Sequence, residues 1–317
     1  MFGEAAERPA ILIICGPTAI GKTAVAMAVQ DAWGGKDAVQ LISADSALIY
    51  REMDIGTAKP TQVEQQAYPH KLIDIRDPSQ PYSVAEFVAD ADQAITEAID
   101  AGKRPVVVGG TMMYLKCLLE GIASLPTTDP ALREVLEREL MGRGAQALHD
   151  ELTEIDSGLA AKIHPNNHQR LLRAVAVVRT TGKAMSEQWQ DKPGGTLNQR
   201  TGRSHRTVVM LPKDRHLLHQ RIADRFDHML QSGFLREVSG LMNRDDVTRE
   251  LPSMRAVGYR QAWSHLLGDY DQAMLQKKGI AATRQLAKRQ ITWLRKWPQA
   301  SVVESNSVEE TIAHILG

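Results

Sequence analysis

The stretch ILIICGPTAIGKT, residues 11–23, most constrains what this chain can fold into. Its first five residues are apolar and mostly β-branched, which is typical of a strand covered on both faces of a parallel sheet. Gly16, Gly21, Lys22 and Thr23 then complete the pattern G-x-x-x-x-G-K-[ST]. In that pattern the glycines let backbone N–H groups converge on phosphate oxygens, the lysine supplies positive charge, and the hydroxyl can bind Mg²⁺. A helical pattern follows the loop, so the sequence predicts a P-loop that binds a phosphorylated ligand.

Strand-like and helix-like segments continue to alternate after this loop. Val39–Ala44 reads as a second strand, and Ser83 with Glu86 forms a capping box that predicts a helix to about Ala101. Further strands are predicted at Lys71–Ile75, Pro105–Val108, Thr207–Leu211 and Ala300–Val303, and further helices at Met112–Glu120, Arg215–Ser232, Leu235–Met242, Ser253–Leu267, Tyr270–Trp297, from Val308 onward and briefly within Ala47–Pro60. This succession predicts an α/β fold, a P-loop NTPase-like parallel sheet with flanking helices.

The middle of the chain has a different character. From about Ser124 to Thr207 helical patterns recur without a convincing strand, as in Ala131–Met141 and His168–Thr180. We therefore expect an all-helical insertion domain at 124–206. It would separate the first part of the P-loop core, 1–123, from the completion of that core, 207–317.

Composition excludes several classes of protein. The chain has 317 residues, of which 43% are hydrophobic and 24% charged, as is usual for a globular protein. The first ten residues contain acids and no apolar core of signal-peptide length, and no apolar run is long enough to span a bilayer. Cys15 and Cys117 are expected to be two buried thiols. We therefore expect a cytoplasmic protein with no membrane association.

The zero net charge hides a basic region. Residues 169–297 carry 24 Lys and Arg against 11 Asp and Glu, which indicates a polyanionic partner larger than a nucleotide. Within it, the segment RQLAKRQITWLRKW has five basic residues and no acid, and Arg284, Lys288, Thr292 and Arg295 fall on one helical stripe. Such a stripe binds nucleic acid or is simply solvated. The apolar residues Leu286, Trp293, Leu294 and Trp297 are expected to anchor the same helix in a core.

Two further residues are candidates for chemistry. Asp45 follows the second strand at its carboxyl end, where it would serve as a general base, hold Mg²⁺ through water, or only cap a helix. Asp74 and Asp77 are weaker candidates, because a turn at Pro78 accounts for them. Arg255, in PSMRAVGYRQ, either reaches phosphates with its planar fork of donors or is solvated.

Several stretches together resemble one family. They are GPTAIGKT, LISADSALIYREMDIGTAKP, PHKLIDIRDP, VVVGGTMMYLKCLLEG, HPNNHQRLLRA, PSMRAVGYRQ and KRQITWLRKW, in this order. The chain is similar over about residues 11 to 297 to the bacterial tRNA dimethylallyltransferases, also called tRNA isopentenyltransferases. Eukaryotic relatives add a C-terminal zinc finger that this sequence lacks, so the bacterial form is expected and zinc is not.

The resemblance implies transfer of a dimethylallyl group from dimethylallyl diphosphate to N6 of adenine 37, in the anticodon stem-loop of tRNAs reading codons that begin with U. The loop of Gly16, Pro17, Thr18, Ala19, Ile20, Gly21, Lys22 and Thr23 would bind the diphosphate of this donor rather than ATP. Lys22 and Thr23 are implied to be catalytic, with Mg²⁺ as cofactor and Thr23 as its possible ligand. Asp45 would accept the amine proton, and Arg255 would assist the departing diphosphate. A monomer is expected.

The resemblance also implies where the tRNA binds. The positions are Asp45, Ser46, Ala47, Leu48, Thr111, Arg133, Gln169, Arg170, Leu171, Leu172, Arg173, Arg255, Lys288, Arg289 and Arg295.

Two rival functions share the loop. A P-loop small-molecule kinase would use Lys22 and Mg²⁺ on a γ-phosphate, with Asp45 activating a hydroxyl. A non-enzymatic P-loop RNA-binding protein would use only the basic region. The basic region and the lack of a clear second nucleotide-binding signature argue against the kinase.

Overall fold

The computed structural model describes residues 11–189 and 194–317. The prediction that the first ten residues hold no signal peptide lies outside this part of the chain. None of the helices in the described residues is both long enough and apolar enough to cross a bilayer.

One parallel sheet of six strands forms the centre of the fold. The strands are β1 (Ile11–Cys15), β2 (Val39–Ala44), β3 (His70–Lys71), β4 (Arg104–Gly109), β5 (His205–Leu211) and β6 (Ser301–Glu304). Their order across the sheet is β3-β2-β4-β1-β5-β6, and every neighbouring pair is parallel. All five residues of β1 are buried, as its unbroken apolar run predicts for a strand covered on both faces. The predicted α/β class is confirmed.

Helices connect and cover these strands. They are α1 (Lys22–Ala32), α2 (Gln62–Ala67), α3 (Val84–Asp100), α4 (Met112–Glu120), α5 (Pro130–Ile155), α6 (Ser157–Ala160), α7 (His168–Thr181), α8 (Met185–Gln188), α9 (Leu197–Thr201), α10 (Arg215–Gln231), α11 (Phe234–Met242), α12 (Tyr259–Leu266), α13 (Gln272–Leu294) and α14 (Val308–Leu316). The capping box at Ser83 is present and starts α3.

The chain divides into two compact units. The larger comprises the described parts of Met1–Leu119 and Leu197–Gly317, and the smaller is Glu120–Thr196. The smaller unit is helical and has its own apolar core, built mainly from α5 and α7. Its C-terminal limit precedes the predicted 206 because α9 packs against α3, where Arg200 pairs with Asp92. The predicted domain boundaries therefore stay predictions.

Three predicted elements differ from the structure. The strand predicted at Lys71–Ile75 ends at Lys71, because Leu72 and Asp74 adopt positive φ angles of 66° and 57°. No helix forms within Ala47–Pro60, where turns replace it. The helix predicted from Ser253 starts only at Tyr259, since Gly258 before it has a φ of 96°, a conformation that a continuous helix does not allow.

Strands β2 and β4 leave no room for a side chain where they pair at their carboxyl ends. A Cβ at Gly109, the last residue of β4, would lie 2.1 Å from the carbonyl oxygen of Ala44 in β2. The carboxyl ends of β2 and β4 therefore leave no room for a side chain at residue 109. This close approach brings together the loops that follow the two strands.

We expect Gly109→Ala to lower the free energy of unfolding by about 1–3 kcal/mol, because the methyl group must push the two strands apart. Gly240→Ala is a matched control in the same unit. Gly240 lies inside α11 with no atom within 4 Å of the added methyl, so this change should stabilise by about 0.5–1 kcal/mol. Urea unfolding of both variants tests the difference, and equal effects would contradict it.

Candidate active site

A cavity of about 620 Å³ lies at the carboxyl ends of β1, β2 and β4. This edge of a parallel sheet is where ligands bind in open α/β folds. The loop after β1 contributes Thr18, Lys22 and Thr23, and α10, α12 and α13 complete the wall. All of the lining residues belong to the larger unit.

The P-loop has the form of an anion cradle. It turns from β1 into α1, and no side chain caps the first N–H groups of that helix. Those N–H groups have no partner inside the helix and lie at the positive end of its dipole. The start of α1 can therefore bind phosphate oxygens, as the motif predicts.

Lys22 places its partly buried ammonium group in this cradle. Its Nζ donates a hydrogen bond to the carbonyl oxygen of Pro17 at 2.9 Å. Burial lowers the pKa of Lys22 to about 8; Asp45 opposes this shift, and the positive charge of Arg225 adds to it. Lys22, Asp45 and Arg225 thus influence one another electrostatically in the same cavity.

Arg225 is a candidate that the sequence reasoning missed. It projects from α10, donates from Nη2 to the carbonyl oxygen of Thr57 at 2.9 Å, and lines the cavity. Burial lowers its pKa, and Asp45 opposes this shift. The available signal was its position among Ile222, Phe226 and Met229, the buried stripe of α10, where a charged residue is unusual.

Asp45 directly follows β2 and lines the same cavity as the P-loop residues. Its Oδ1 accepts a hydrogen bond from the backbone N–H of Ala47 at 2.9 Å. The next residue, Ser46, donates its N–H to Oγ1 of Thr111 at 2.9 Å. These residues and Leu48 all line the cavity, so the sequence-predicted residues after β2 and β4 are brought together here.

Arg255 lies at the rim of the same cavity. Its side chain is 51% exposed, and its Nη2 pairs with Oε2 of Glu250 at 3.0 Å. The guanidinium is therefore engaged by a carboxylate, whereas Arg225 is the more buried arginine. The two weaker acid candidates form salt bridges with basic side chains instead. Asp74 pairs with Lys59, and Asp77 pairs with Arg244.

Glu237 fixes another part of the wall. Its carboxylate accepts hydrogen bonds from the backbone N–H groups of Asp54 at 2.9 Å, Ile55 at 2.6 Å and Gly56 at 3.0 Å. It also accepts one from the hydroxyl of Tyr259. The next residue after this turn is Thr57, whose carbonyl oxygen accepts the hydrogen bond from Arg225. Glu237 therefore supports the segment that positions the guanidinium of Arg225.

The cavity also has an apolar side. It is lined by Ile73, Met112, Tyr114, Ile222, Phe226, Met229, Val257, Tyr259 and Trp293. A ligand with a charged end and a hydrocarbon end would find complementary surface for both.

Helix α13 borders the cavity and bears the basic stripe. Arg289, Gln290 and Trp293 line the cavity, while Lys288 and Arg295 are exposed. Trp293 is 37% exposed, so the prediction that it anchors the helix in a core is wrong. Its ring lies 5.9 Å from Nζ of Lys116.

The remaining predicted tRNA-contact residues belong to the smaller unit. Arg133 is exposed and pairs with Glu137 at 2.9 Å, and Gln169 and Arg170 are exposed on α7. Leu171 has no exposed surface, and Arg173 donates to the carbonyl of residue 126 at 2.8 Å. Leu171 therefore packs the core of its unit and has no surface for RNA, because helix α7 turns that face inward. Leu172, next to it, is partly buried against the same core.

The donor set in the cavity fits Mg²⁺ shared with a phosphorylated ligand. Among residues 11–189 and 194–317, no group of three or more His, Cys, Asp or Glu side chains could hold a metal ion. Thr23 and Asp45 supply one hydroxyl and one carboxylate to the cavity. Mg²⁺ commonly binds one or two protein oxygens, with phosphate and water completing its shell, and a hydroxyl with a carboxylate is a donor set of that kind.

A family model described as IPP transferase matches residues 48–297 of this chain. Over 300 residues the chain is 50% identical to a tRNA dimethylallyltransferase of Chromohalobacter salexigens, covering 95% of this chain and 94% of that protein.

Solved structures are similar as well. The full-length tRNA isopentenylpyrophosphate transferase of Bacillus halodurans has a TM-score of 0.67 at 33% identity, covering 96% of this chain and 94% of that one. A eukaryotic dimethylallyltransferase acting on tRNA has a TM-score of 0.78 at 24% identity, covering 96% and 78%, which shows the common fold.

We expect the affinity for inorganic pyrophosphate to fall as the pH rises above about 8. Only the ammonium form of Lys22 pairs with phosphate oxygens. Because the pKa of Lys22 is lowered to about 8, this charged form is lost as the pH rises above that value. The loss should approach about tenfold per pH unit for one linked proton. Isothermal titration between pH 6.5 and 9.5 measures it.

The control is Lys22→Arg, whose guanidinium stays charged over this range. Its pH dependence reports the ionisation of pyrophosphate alone. Identical profiles for the two proteins would contradict the assignment.

Proposed function

This chain belongs to the IPP transferase family, and we propose that it transfers the dimethylallyl group of dimethylallyl diphosphate to N6 of adenine 37 in tRNAs reading codons that begin with U. One observation carries the proposal. Lys22, Asp45 and Arg225 line one cavity together with apolar residues, in a chain that is 50% identical over 300 residues to a tRNA dimethylallyltransferase. The products are the N6-prenylated adenine and diphosphate.

The reaction joins a poor nucleophile to a carbon that readily bears positive charge. The lone pair of the adenine amine is delocalised into the ring, so the amine attacks only as the bond to diphosphate breaks. The new C–N bond forms with the electrons of the amine, and the electrons of the broken C–O bond leave with diphosphate. Two tasks remain for the protein, stabilisation of the departing anion and removal of the amine proton.

The P-loop and two partly buried cations perform the first task. Backbone N–H groups from Gly16 to Thr23 and the ammonium of Lys22 receive the diphosphate, and Arg225 faces it from α10. Their charges are fixed before the reaction, so little reorganisation is needed as the anion develops. Bound Mg²⁺, with Thr23 among its ligands, would neutralise further charge on diphosphate. Arg255, at the rim, is the second arginine available to the anion.

Asp45 performs the second task. It lines the same cavity as the P-loop, and its side chain is held by the backbone N–H of Ala47. A carboxylate is a sufficient base here, because an amine becomes acidic as it forms its bond to carbon. The hydrogen bond between Ser46 and Thr111 keeps the segment that carries Asp45 in place.

The apolar wall suits the hydrocarbon part of the donor. Met112, Phe226 and Met229 offer surface to the dimethylallyl group and leave few partners for water. Exclusion of water matters because an allylic carbon with cationic character would otherwise be hydrolysed.

The tRNA binds to basic surfaces of both units. Lys288, Arg289 and Arg295 of α13 contact phosphates of the anticodon stem-loop, and exposed basic residues of the helical insertion, such as Arg170, make further contacts. Adenine 37 leaves its loop stack to reach Asp45, which costs less than extruding a paired base. The enzyme acts as a monomer in the cytoplasm.

One assay tests this function against its rivals. The protein is incubated with unmodified tRNA and labelled dimethylallyl diphosphate, with ATP as an alternative donor. Label in the tRNA is expected. Phosphate transferred from ATP to a small metabolite would indicate the kinase instead, and RNA binding without transfer would indicate the non-enzymatic binder.

We expect Asp45→Ala to lower kcat by about 10² or more, as loss of a general base does, while the Kd for tRNA changes little. Single-turnover transfer and filter binding measure the two quantities. Near-normal turnover would assign the base to another residue.

We expect conversion of Arg284, Lys288 and Arg295 to Glu to weaken tRNA binding and to flatten its dependence on salt, because fewer counterions are released. The control changes Lys36, Lys103 and Arg104 to Glu, with the same change in net charge at the opposite, amino end of β4. Affinities measured from 50 to 200 mM salt compare the variants. An equal slope in both would place the RNA elsewhere.

A further inference from the structure

Gln290 joins two loops of the phosphate site. It lies on α13, is only 8% exposed, and lines the cavity. Its Oε1 accepts a hydrogen bond from the backbone N–H of Thr18 at 2.9 Å, and its Nε2 donates to the carbonyl of Gly110 at 2.8 Å. One amide side chain therefore fills the gap between the P-loop and the loop after β4.

The amide also lies close to the ammonium of Lys22. A Cβ at Gly110 would be 2.8 Å from Nε2 of Gln290 and 3.3 Å from Nζ of Lys22. Both groups therefore pack close to Gly110, where a side chain would not fit.

A phosphate group that approached both the N–H of Thr18 and the ammonium of Lys22 would have to occupy the volume that the Gln290 amide fills. In P-loops that bind triphosphates, the loop N–H groups hold the inner phosphates and the lysine reaches the outer ones. Here the N–H of Thr18 is already taken by Gln290, and the atom that takes it is a carbonyl oxygen with partial negative charge.

We propose that Gln290 restricts the phosphate chain to two units, so that the site accepts a diphosphate and rejects a triphosphate. The inference rests on the proposed function, in which the P-loop binds the diphosphate of the prenyl donor. Gln290 acts by filling the space next to Lys22 and by presenting its oxygen where a third phosphate would need a donor. It is a specificity-determining residue and takes no part in bond making.

A repulsive element is needed because charge alone favours the wrong ligand. A triphosphate carries more negative charge than a diphosphate, and Lys22 and Arg225 would attract it more strongly. Selection of the less charged anion therefore requires a group that excludes the longer one. Among the described residues lining the cavity, Gln290 is positioned to do so by two hydrogen bonds to backbone.

Isothermal titration with two anions tests this role. Inorganic pyrophosphate and tripolyphosphate are titrated into the full chain at one pH and one Mg²⁺ concentration. The wild type is expected to bind pyrophosphate more tightly. Gln290→Ala and Gln290→Ser should each shift the ratio of the two affinities toward tripolyphosphate by tenfold or more, since both remove the amide and open the space.

The control is Gln261→Ala. Gln261 is also 8% exposed and accepts a hydrogen bond from a backbone N–H, that of Gly258 at 2.9 Å, but it does not line the cavity. Its loss is expected to lower the melting temperature without changing the ratio.

Two outcomes would overturn the inference. One is a wild type that binds tripolyphosphate at least as tightly as pyrophosphate. The other is an equal loss of affinity for both anions in the Gln290 variants. In either case pyrophosphate binding by the wild type leaves the proposed function intact. A wild type that binds neither anion would contradict the assignment of the P-loop as well.

Discussion

The site depends on two partly buried cations that share one cavity with a carboxylate. Lys22 and Arg225 both lose hydration, which lowers their pKa values, and Asp45 opposes both shifts. A charge removed from water is costly unless it is paired, and one carboxylate cannot compensate two cations. An anion bound in the cavity would compensate the remaining charge. A diphosphate that leaves with the bonding electrons is such an anion, and its charge increases in the step that must be accelerated.

The rest of the larger unit positions these three charges. The sheet delivers Lys22 and Asp45 from neighbouring carboxyl ends, and the absence of a side chain at Gly109 lets β2 and β4 meet. Arg225 comes from α10, far along the chain, and is held by the Thr57 carbonyl in a segment that Glu237 fixes. The fold thus brings Lys22, Arg225 and Asp45 to one cavity.

Sequence patterns predicted the parts of this arrangement that are local. The apolar runs of the strands, the P-loop and Asp45 at the end of β2 are contiguous signals, and the structure brings them together as expected. Arg225 and Gln290 carry no local signal beyond a polar residue on a buried helix face, because their partners are 168 and 272 residues away in sequence. The late start of α12 and the burial of Leu171 were missed for the same reason. The positive φ of Gly258 and the inward direction of Leu171 both depend on contacts with residues distant in sequence, which a local pattern does not reveal.

A crystal structure with the tRNA anticodon stem-loop and an unreactive thiol analogue of dimethylallyl diphosphate tests the central claim most directly. The measurement is the position of two groups in one map, the diphosphate and the adenine N6. The account predicts the diphosphate within hydrogen-bond reach of Lys22 and the P-loop N–H groups, and a carboxylate oxygen of Asp45 about 3 Å from N6. A diphosphate outside the loop, or an Asp45 too far from N6 to be bridged by one water, would contradict it.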